Sequence, residues 1–232
     1  WAASHFELAL PAVPEMTSPR AWAFGLLGVH EYLRRFSGDR VTGLARDALT
    51  ALLVGLHERT ATAGWPWFEQ SLTYDNARLP HALIAGSRSG ADPRALEIGL
   101  DALDWLVKVQ RAPQGHFRAI GCNGFYRKGH EPARFDQQPI EANATVAACL
   151  EAYRATQDPR WLNEARSSFE WFLGRNDLGQ ELYDPGTGGC CDGLQEDRIN
   201  RNQGAESTLA FLLSLAEMNL LESSLAAFRQ AR

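Results

Sequence analysis

Three times along this chain an aspartate with an arginine close behind it opens an amphipathic stretch: Asp39-Arg40, Asp92-Pro93-Arg94 and Asp158-Pro159-Arg160, at spacings of 53 and 66 residues. Aspartate suits a helix N-cap, where its carboxylate accepts from backbone N–H groups that lack an intrahelical partner. In two copies Pro takes the first helical position, where its missing N–H costs nothing. About twelve residues beyond that Pro, the second copy reads Asp104-Trp105-Leu106 and the third Glu170-Trp171-Phe172. Repetition at this period marks stacked helical hairpins, none of which buries its apolar face alone.

Apolar spacing fills in the helices. Leu26, Val29, Leu33 and Phe36 predict one over 19–37, and Leu44, Ala48, Leu52 and Leu56 another over 40–59. A short helix follows over 76–87, then one over 93–110 with a stripe of Leu96, Leu100, Leu103 and Leu106. Further helices are expected over 139–156, over 159–173 with Leu162, Ala165, Phe169 and Phe172 inward, and over 203–221. No segment of useful length alternates with strand period, so the chain reads as all-α. Helices with charged outer faces (40–59, 93–110, 159–173) alternate with helices rich in small residues that begin in polar clusters. That alternation predicts an (α/α) toroid of helical hairpins, an outer ring shielding an inner one. With nearly four hairpins the toroid is partial or truncated here. Residues 1–18, bearing Pro11 and Pro14 and little periodicity, read as a lead-in segment, and 19–232 as the toroid domain. The glycine-rich stretches 113–134 and 174–201 read as long functional loops.

A length of 232 residues with 45% hydrophobic content suffices for one large domain. A net charge of −5 and a pI near 5.7 argue against a nucleic-acid partner. No apolar run approaches the roughly 20 residues that span a bilayer, and no basic-then-apolar leader is present. A chain opening on Trp1 rather than Met reads as a domain of a longer protein, with N-terminal hairpins elsewhere. Cys122, Cys149, Cys190 and Cys191 make a poor disulfide framework, two of them being adjacent, so the chain is read as reduced and cytoplasmic.

Three polar clusters open the inner helices at matching places in the repeat: Tyr74-Asp75-Asn76-Ala77-Arg78, Phe135-Asp136-Gln137-Gln138-Pro139-Ile140-Glu141 and Asn202-Gln203-Gly204-Ala205-Glu206. Helix N-termini present free N–H groups and partial positive charge, which suit carboxylates and amides. Asp75, Asp136 and Asn202 read equally well as plain N-caps, each worth about 1 kcal/mol. Gln137, Gln138, Arg78, Glu141 and Glu206 exceed what a cap needs, and predict a shared polar pocket. Aromatic residues crowd the same loops, among them Trp65, Trp67, Phe68, Tyr74, Phe117, Phe125, Tyr126, Phe135 and Tyr183. Aromatic faces beside carboxylates and amides suit a saccharide, although Phe68, Phe117 and Phe135 read better as loop staples. Glycosidic chemistry needs two carboxylates across the bond. The candidates are Asp75, Asp136, Glu141 and Glu206, with substrate contacts from Trp67, Glu69, Tyr74, Asn76, Arg78, Tyr126, Arg127, Gln137, Gln138, Asp192, Asn202 and Gln203.

A zinc centre on Cys122, Cys190 and Cys191 with His116, His130 or His81 is disfavoured. The spacing lacks C-x-x-C, and adjacent cysteines rarely share one tetrahedral ion. No metal and no cofactor is expected.

The segments Trp67-Phe68-Glu69, Leu72 to Pro80, Phe135 to Ala142, Gly188-Gly189-Cys190 and Asn202 to Ser207, spread over 64–216, resemble bacterial (α/α) toroid domains associated with family 4 glycosyltransferases. The fold more broadly resembles six-hairpin glycosidases and sugar epimerases. The resemblance implies a toroid in a carbohydrate setting, without a catalytic assignment to carry over. Three readings follow. One is a domain processing a glycosidic bond with a carboxylate pair, and another a non-catalytic saccharide-binding or scaffolding module of a linked or neighbouring glycosyltransferase. The third is a toroid without ligand. A glycosyltransferase reaction within these residues alone is not expected, since no sugar-nucleotide-binding α/β pattern is present.

Overall fold

The computed structural model describes residues 1–88 and 92–230. Eight α-helices carry the architecture: α1 (Ala2–Ala9), α2 (Pro19–Arg35), α3 (Arg40–Thr60), α4 (Arg78–Ser87), α5 (Pro93–Val109), α6 (Pro139–Thr156), α7 (Arg160–Glu170) and α8 (Ala205–Gln230). Two-residue strands pair antiparallel in three ribbons within the loops: β1 (Ser71–Leu72) with β2 (Tyr126–Arg127), β3 (Tyr183–Asp184) with β4 (Gly189–Cys190), and β5 (Gly193–Leu194) with β6 (Ile199–Asn200). Helices α2, α4, α6 and α8 pack side by side in sequence, and α3, α5 and α7 lie against them on the outside. The result is an arc of an (α/α) toroid, α2 at one end and α8 at the other.

The aspartates of the repeat act as read. Asp39 accepts from the Thr42 amide at 2.7 Å and Asp92 from the Arg94 amide at 2.9 Å. Asp158 accepts from the Arg160 amide at 2.9 Å from just outside its helix, whose N-cap is Pro159. The inner helices differ from expectation. Ala77 and Gln138 hold the N-cap positions of α4 and α6, and Asp192 serves the start of α8 from a distant loop by accepting from the Gly204 amide at 2.8 Å. Asp75, Asp136 and Asn202 are therefore not caps.

Two apolar faces also depart from the spacing. On α3 the buried positions are Thr42, Leu49, Thr50, Leu53 and Val54, whereas Leu44 and Leu52 are 61% and 41% exposed. On α2 Leu26, Val29 and Leu33 are buried but Phe36 is not. Residues 1–18 carry α1, which lies beside α2 with Phe6 stacked 4.7 Å from Tyr32, and a 3-10 helix at Leu10–Glu15 that meets α3. Between this segment and α3 runs an apolar groove of about 560 Å³ that includes Leu10, Leu44 and Leu52. At the other end α8, longer than expected, exposes Leu209, Leu212, Leu213 and Leu220. Among the described residues no helix is long and apolar enough to cross a membrane.

The main core lies between the two helical layers, and includes Leu26, Leu53, Leu83, Leu106, Val146, Leu150 and Trp161. A second cluster under the 174–201 loop gathers Trp171, Phe172, Leu182, Cys190, Leu194 and Phe211. Cys149 and Cys190 are wholly buried, Cys191 nearly so, and all four cysteines are free.

Candidate active site

The segment carrying Asp136 is gripped from both sides. The amide of Cys122 donates to the Asp136 carbonyl at 2.9 Å, and Gln137 and Leu194 exchange amide-to-carbonyl bonds of 2.9 Å. Both approaches require glycine. A Cβ at Gly121 would run into the backbone of Phe135, and one at Gly193 into the carbonyl of Gln137. The Gln137 side chain turns inward and is buried: its carbonyl accepts from the Trp171 indole at 2.9 Å, and its amide donates to Asp177 at 2.6 Å and to the Arg134 carbonyl at 3.0 Å. Asp177 is bound as well by Arg118 and His116. Burial raises the Asp177 pKa, but these donors outweigh it and hold the carboxyl below its usual range. A buried network thus fixes one neighbour of Asp136 and leaves the Asp136 side chain to a cavity.

That cavity, about 370 Å³, is lined by Cys122, Asp136, Gln138, Asp192, Gly193, Gln195, Asn200, Gly204, Ala205, Glu206 and Ser207. It lies where the heads of α6 and α8 meet the 174–201 loop. Asp192 is committed to that junction, accepting from Ser207 at 2.7 Å and Asn202 at 2.5 Å besides Gly204. Burial pushes its pKa up, and these three donors more than reverse the push. Asp136 and Glu206 behave differently. Among the described residues neither carboxylate makes a hydrogen bond or ion pair, and Glu206 is exposed. The pocket therefore holds two carboxylates that the fold itself does not use, with the Gln138 amide beside them.

Asp75 and Glu141 sit deeper. Glu141 accepts from the Asp75 amide, from the Asn76 amide at 3.3 Å and from the Asn76 side chain at 2.9 Å. Burial pushes the Glu141 pKa up to about 7, against the pull of the Asn76 donors and with the aid of the Asp75 charge. Asp75 is wholly buried in a left-handed turn (φ 48°) and pairs with Arg78 at 3.1 Å. Its pKa is raised by burial despite that guanidinium. Arg78 continues to Asn143 at 2.7 Å, and Asn143 to Ser214 at 3.0 Å, so α4, α6 and α8 are joined by one polar chain. Both carboxylates are occupied in holding inner helices together. Glu206 lies close enough to Asp75 and Tyr74 for its charge to raise both their pKa values, linking this network to the pocket.

The remaining sequence candidates divide. Gln138, Asp192 and Glu206 line the pocket with Asp136, and Tyr74 is 41% exposed near Glu206. Trp67 is fully buried, 5.4 Å from Phe68 and 5.6 Å from Trp105, and offers no face to a ligand. Tyr126 stacks on Trp105 and meets Trp65 edge-on at 5.0 Å, while Arg127 pairs across the β1–β2 ribbon with Ser71. Glu69 binds Arg20 at 2.6 Å, and Asn76 is taken up by Glu141. Asn202 holds Asp192, and Gln203 turns away to Asp184 at 3.1 Å, bordering a separate cavity of about 610 Å³. Sequence reasoning missed Gln195, Asn200 and Ser207 as lining residues. Ser207 stood inside a quoted motif; the other two lie in a loop whose path no periodicity describes.

The sequence matches no protein-family model and no curated protein. Solved structures share its fold. The α-1,6-mannanase GH76A of Salegentibacter sp. superposes over 89% of this chain with a TM-score of 0.63 at 15% identity. An inactive variant of that enzyme with two consecutive aspartates changed to asparagine, in complex with α-1,6-mannotriose, aligns with the same TM-score at 14% identity. A GH76 α-mannanase from Bacteroides thetaiotaomicron aligns over 88% of the chain, again with a TM-score of 0.63, at 10% identity. The chain covers 56%, 55% and 53% of these proteins, about half their length.

Proposed function

We propose that this chain is the carbohydrate-active part of a toroid protein and processes a glycosidic bond with Asp136 and Glu206 as the carboxylate pair. The observation that carries the reading is the contrast among the candidate carboxylates. Asp75, Glu141 and Asp192 are spent on internal hydrogen bonds, whereas the carboxylates of Asp136 and Glu206 share a polar cavity and bond to no other described residue. Glycoside cleavage needs one carboxyl to protonate the leaving oxygen and another to act as base or nucleophile. Two ionisable groups left free in one cavity meet that need. The mannanase whose inactive variant binds α-1,6-mannotriose has two consecutive aspartates changed in that variant. This chain contains no two consecutive aspartates, so its pair comes from separate elements, the α6 head and the α8 head.

A saccharide-binding module without turnover is the second reading, favoured by the side-chain amides of Gln138, Gln195 and Asn200 that line the cavity with the carboxylates. In either case the protein could serve a linked or neighbouring glycosyltransferase, a partner suggested by the sequence motifs alone. A thermal-shift screen against hexose oligosaccharides headed by α-1,6-mannotriose, with product analysis of every hit, separates the two. Cleavage supports the enzyme, and a hit without cleavage supports the binding module. No hit across the panel contradicts both.

A further inference from the structure

Phe24 breaks the pattern of its helix. Ala23, Leu26, Val29 and Leu33 of α2 are buried, yet Phe24 is 49% exposed. It stands one turn along α2 from Arg20, on the same face. Arg20 is fixed at the mouth of the arc, its Nε donating to the Tyr74 carbonyl at 2.5 Å and its guanidinium pairing with Glu69. Phe24 therefore lies just below the Tyr74 loop, and the Arg78 guanidinium is 5.9 Å from its ring centroid. Arg78 is held in place by Asp75 and Asn143. Among the described residues two other exposed aromatic rings, Trp1 and Phe36, lie against His5 and Tyr32 near the N-terminal segment. Phe24 and Tyr74 are exposed near Arg78 and Arg20 instead, Tyr74 within the field of Glu206.

An apolar ring near a phenol and a carboxylate that make no hydrogen bonds among the described residues does not suit an aliphatic ligand, which would cover those polar groups without giving them partners. A pyranose suits it, because its C–H face packs on an aromatic ring while its rim hydroxyls take polar partners. We propose that Phe24 and Tyr74 wall a sugar subsite adjoining the Asp136–Glu206 cavity, with Phe24 as the stacking platform and Arg78 and Glu206 as hydroxyl partners. The proposal rests on the saccharide reading above and adds the place of one further sugar unit.

Isothermal titration of the full chain tests it, using the tightest binder of an oligosaccharide panel headed by α-1,6-mannotriose, with wild type, Phe24→Ala and Phe24→Tyr. Phe24→Ala is expected to weaken Kd by about tenfold, and Phe24→Tyr to restore it, with unchanged thermal midpoints in both. Wild-type binding with an unchanged Kd in Phe24→Ala overturns the subsite and leaves the pocket reading intact. Wild type that binds nothing in the panel overturns the saccharide reading and the subsite with it.

Discussion

Glu141 accepts a hydrogen bond from the Asn76 side-chain amide at 2.9 Å, joining the head of α6 to the turn that starts α4. The same carboxylate takes the backbone amides of Asp75 and Asn76, so a left-handed turn at Asp75 is secured by a residue far along the chain. Burial drives its pKa up to about 7 from an ordinary 4.5. A carboxyl whose folded pKa is raised binds more protons folded than unfolded, so stability falls as pH rises from about 4.5 to about 7. The full contribution is on the order of 3 kcal/mol over that window. Urea titrations at pH 4.5 and 7.5 should show this loss in wild type and a smaller one in Glu141→Gln. An equal loss in both would contradict the assignment.

The Trp171 indole and the Gln137 carbonyl form a buried bond of 2.9 Å beneath Asp136. Trp171→Phe leaves that carbonyl without its donor and should cost about 1–3 kcal/mol. Activity should fall further than stability explains, because the Gln137 backbone fixes Asp136. Chemical denaturation alongside a rate assay checks both.

Gly193 has φ 157° and lies against the Gln137 carbonyl. Any Cβ there must push the Asp136 segment and the 174–201 loop apart. Gly193→Ala should lose saccharide binding while its far-ultraviolet circular dichroism stays helical. Gly43, with nothing near its Cβ position, should accept alanine with no change in binding.

On α3 the register can be tested directly. Leu53 is buried, so Leu53→Ala should cost about 2–5 kcal/mol. Leu44 is exposed on the apolar groove, and Leu44→Ala should cost less than about 0.5 kcal/mol. Reversed magnitudes would restore the stripe that the sequence spacing suggested.

The helical order was legible because its signals are local. Asp39 and Asp92 cap as their sequence context predicts, and the inner helices begin within two residues of expectation. Face assignment on α3 failed since leucines fall on both sides of that helix, and only the neighbours decide which row is buried. Capping, one of two equal readings of Asp75, Asp136 and Asn202, is absent for another reason. Glu141 reaches Asp75 from 66 residues along the chain, the Asn202 side chain is drawn to Asp192, and the Asp136 carboxylate has no partner among the described residues, none of which a local rule can see. A loop aromatic and a core aromatic look alike in sequence, and Trp67, whose loop suits a sugar platform, belongs to the core. Asp136 and Glu206 belong to polar clusters at matching places in the repeat, but what separates them from Asp75 and Glu141 is the hydrogen bonding, which no spacing records.

The most direct test of the account is the rate of glycosidic cleavage by Asp136→Asn and Glu206→Gln, each against wild type on whichever oligosaccharide wild type cleaves. Each variant should lose about 10²–10⁴-fold in kcat with its thermal midpoint little changed, since neither carboxylate bonds to another described residue and Glu206 contributes only its charge to the first turn of α8. Both variants retaining wild-type rates would contradict the assignment of this pair.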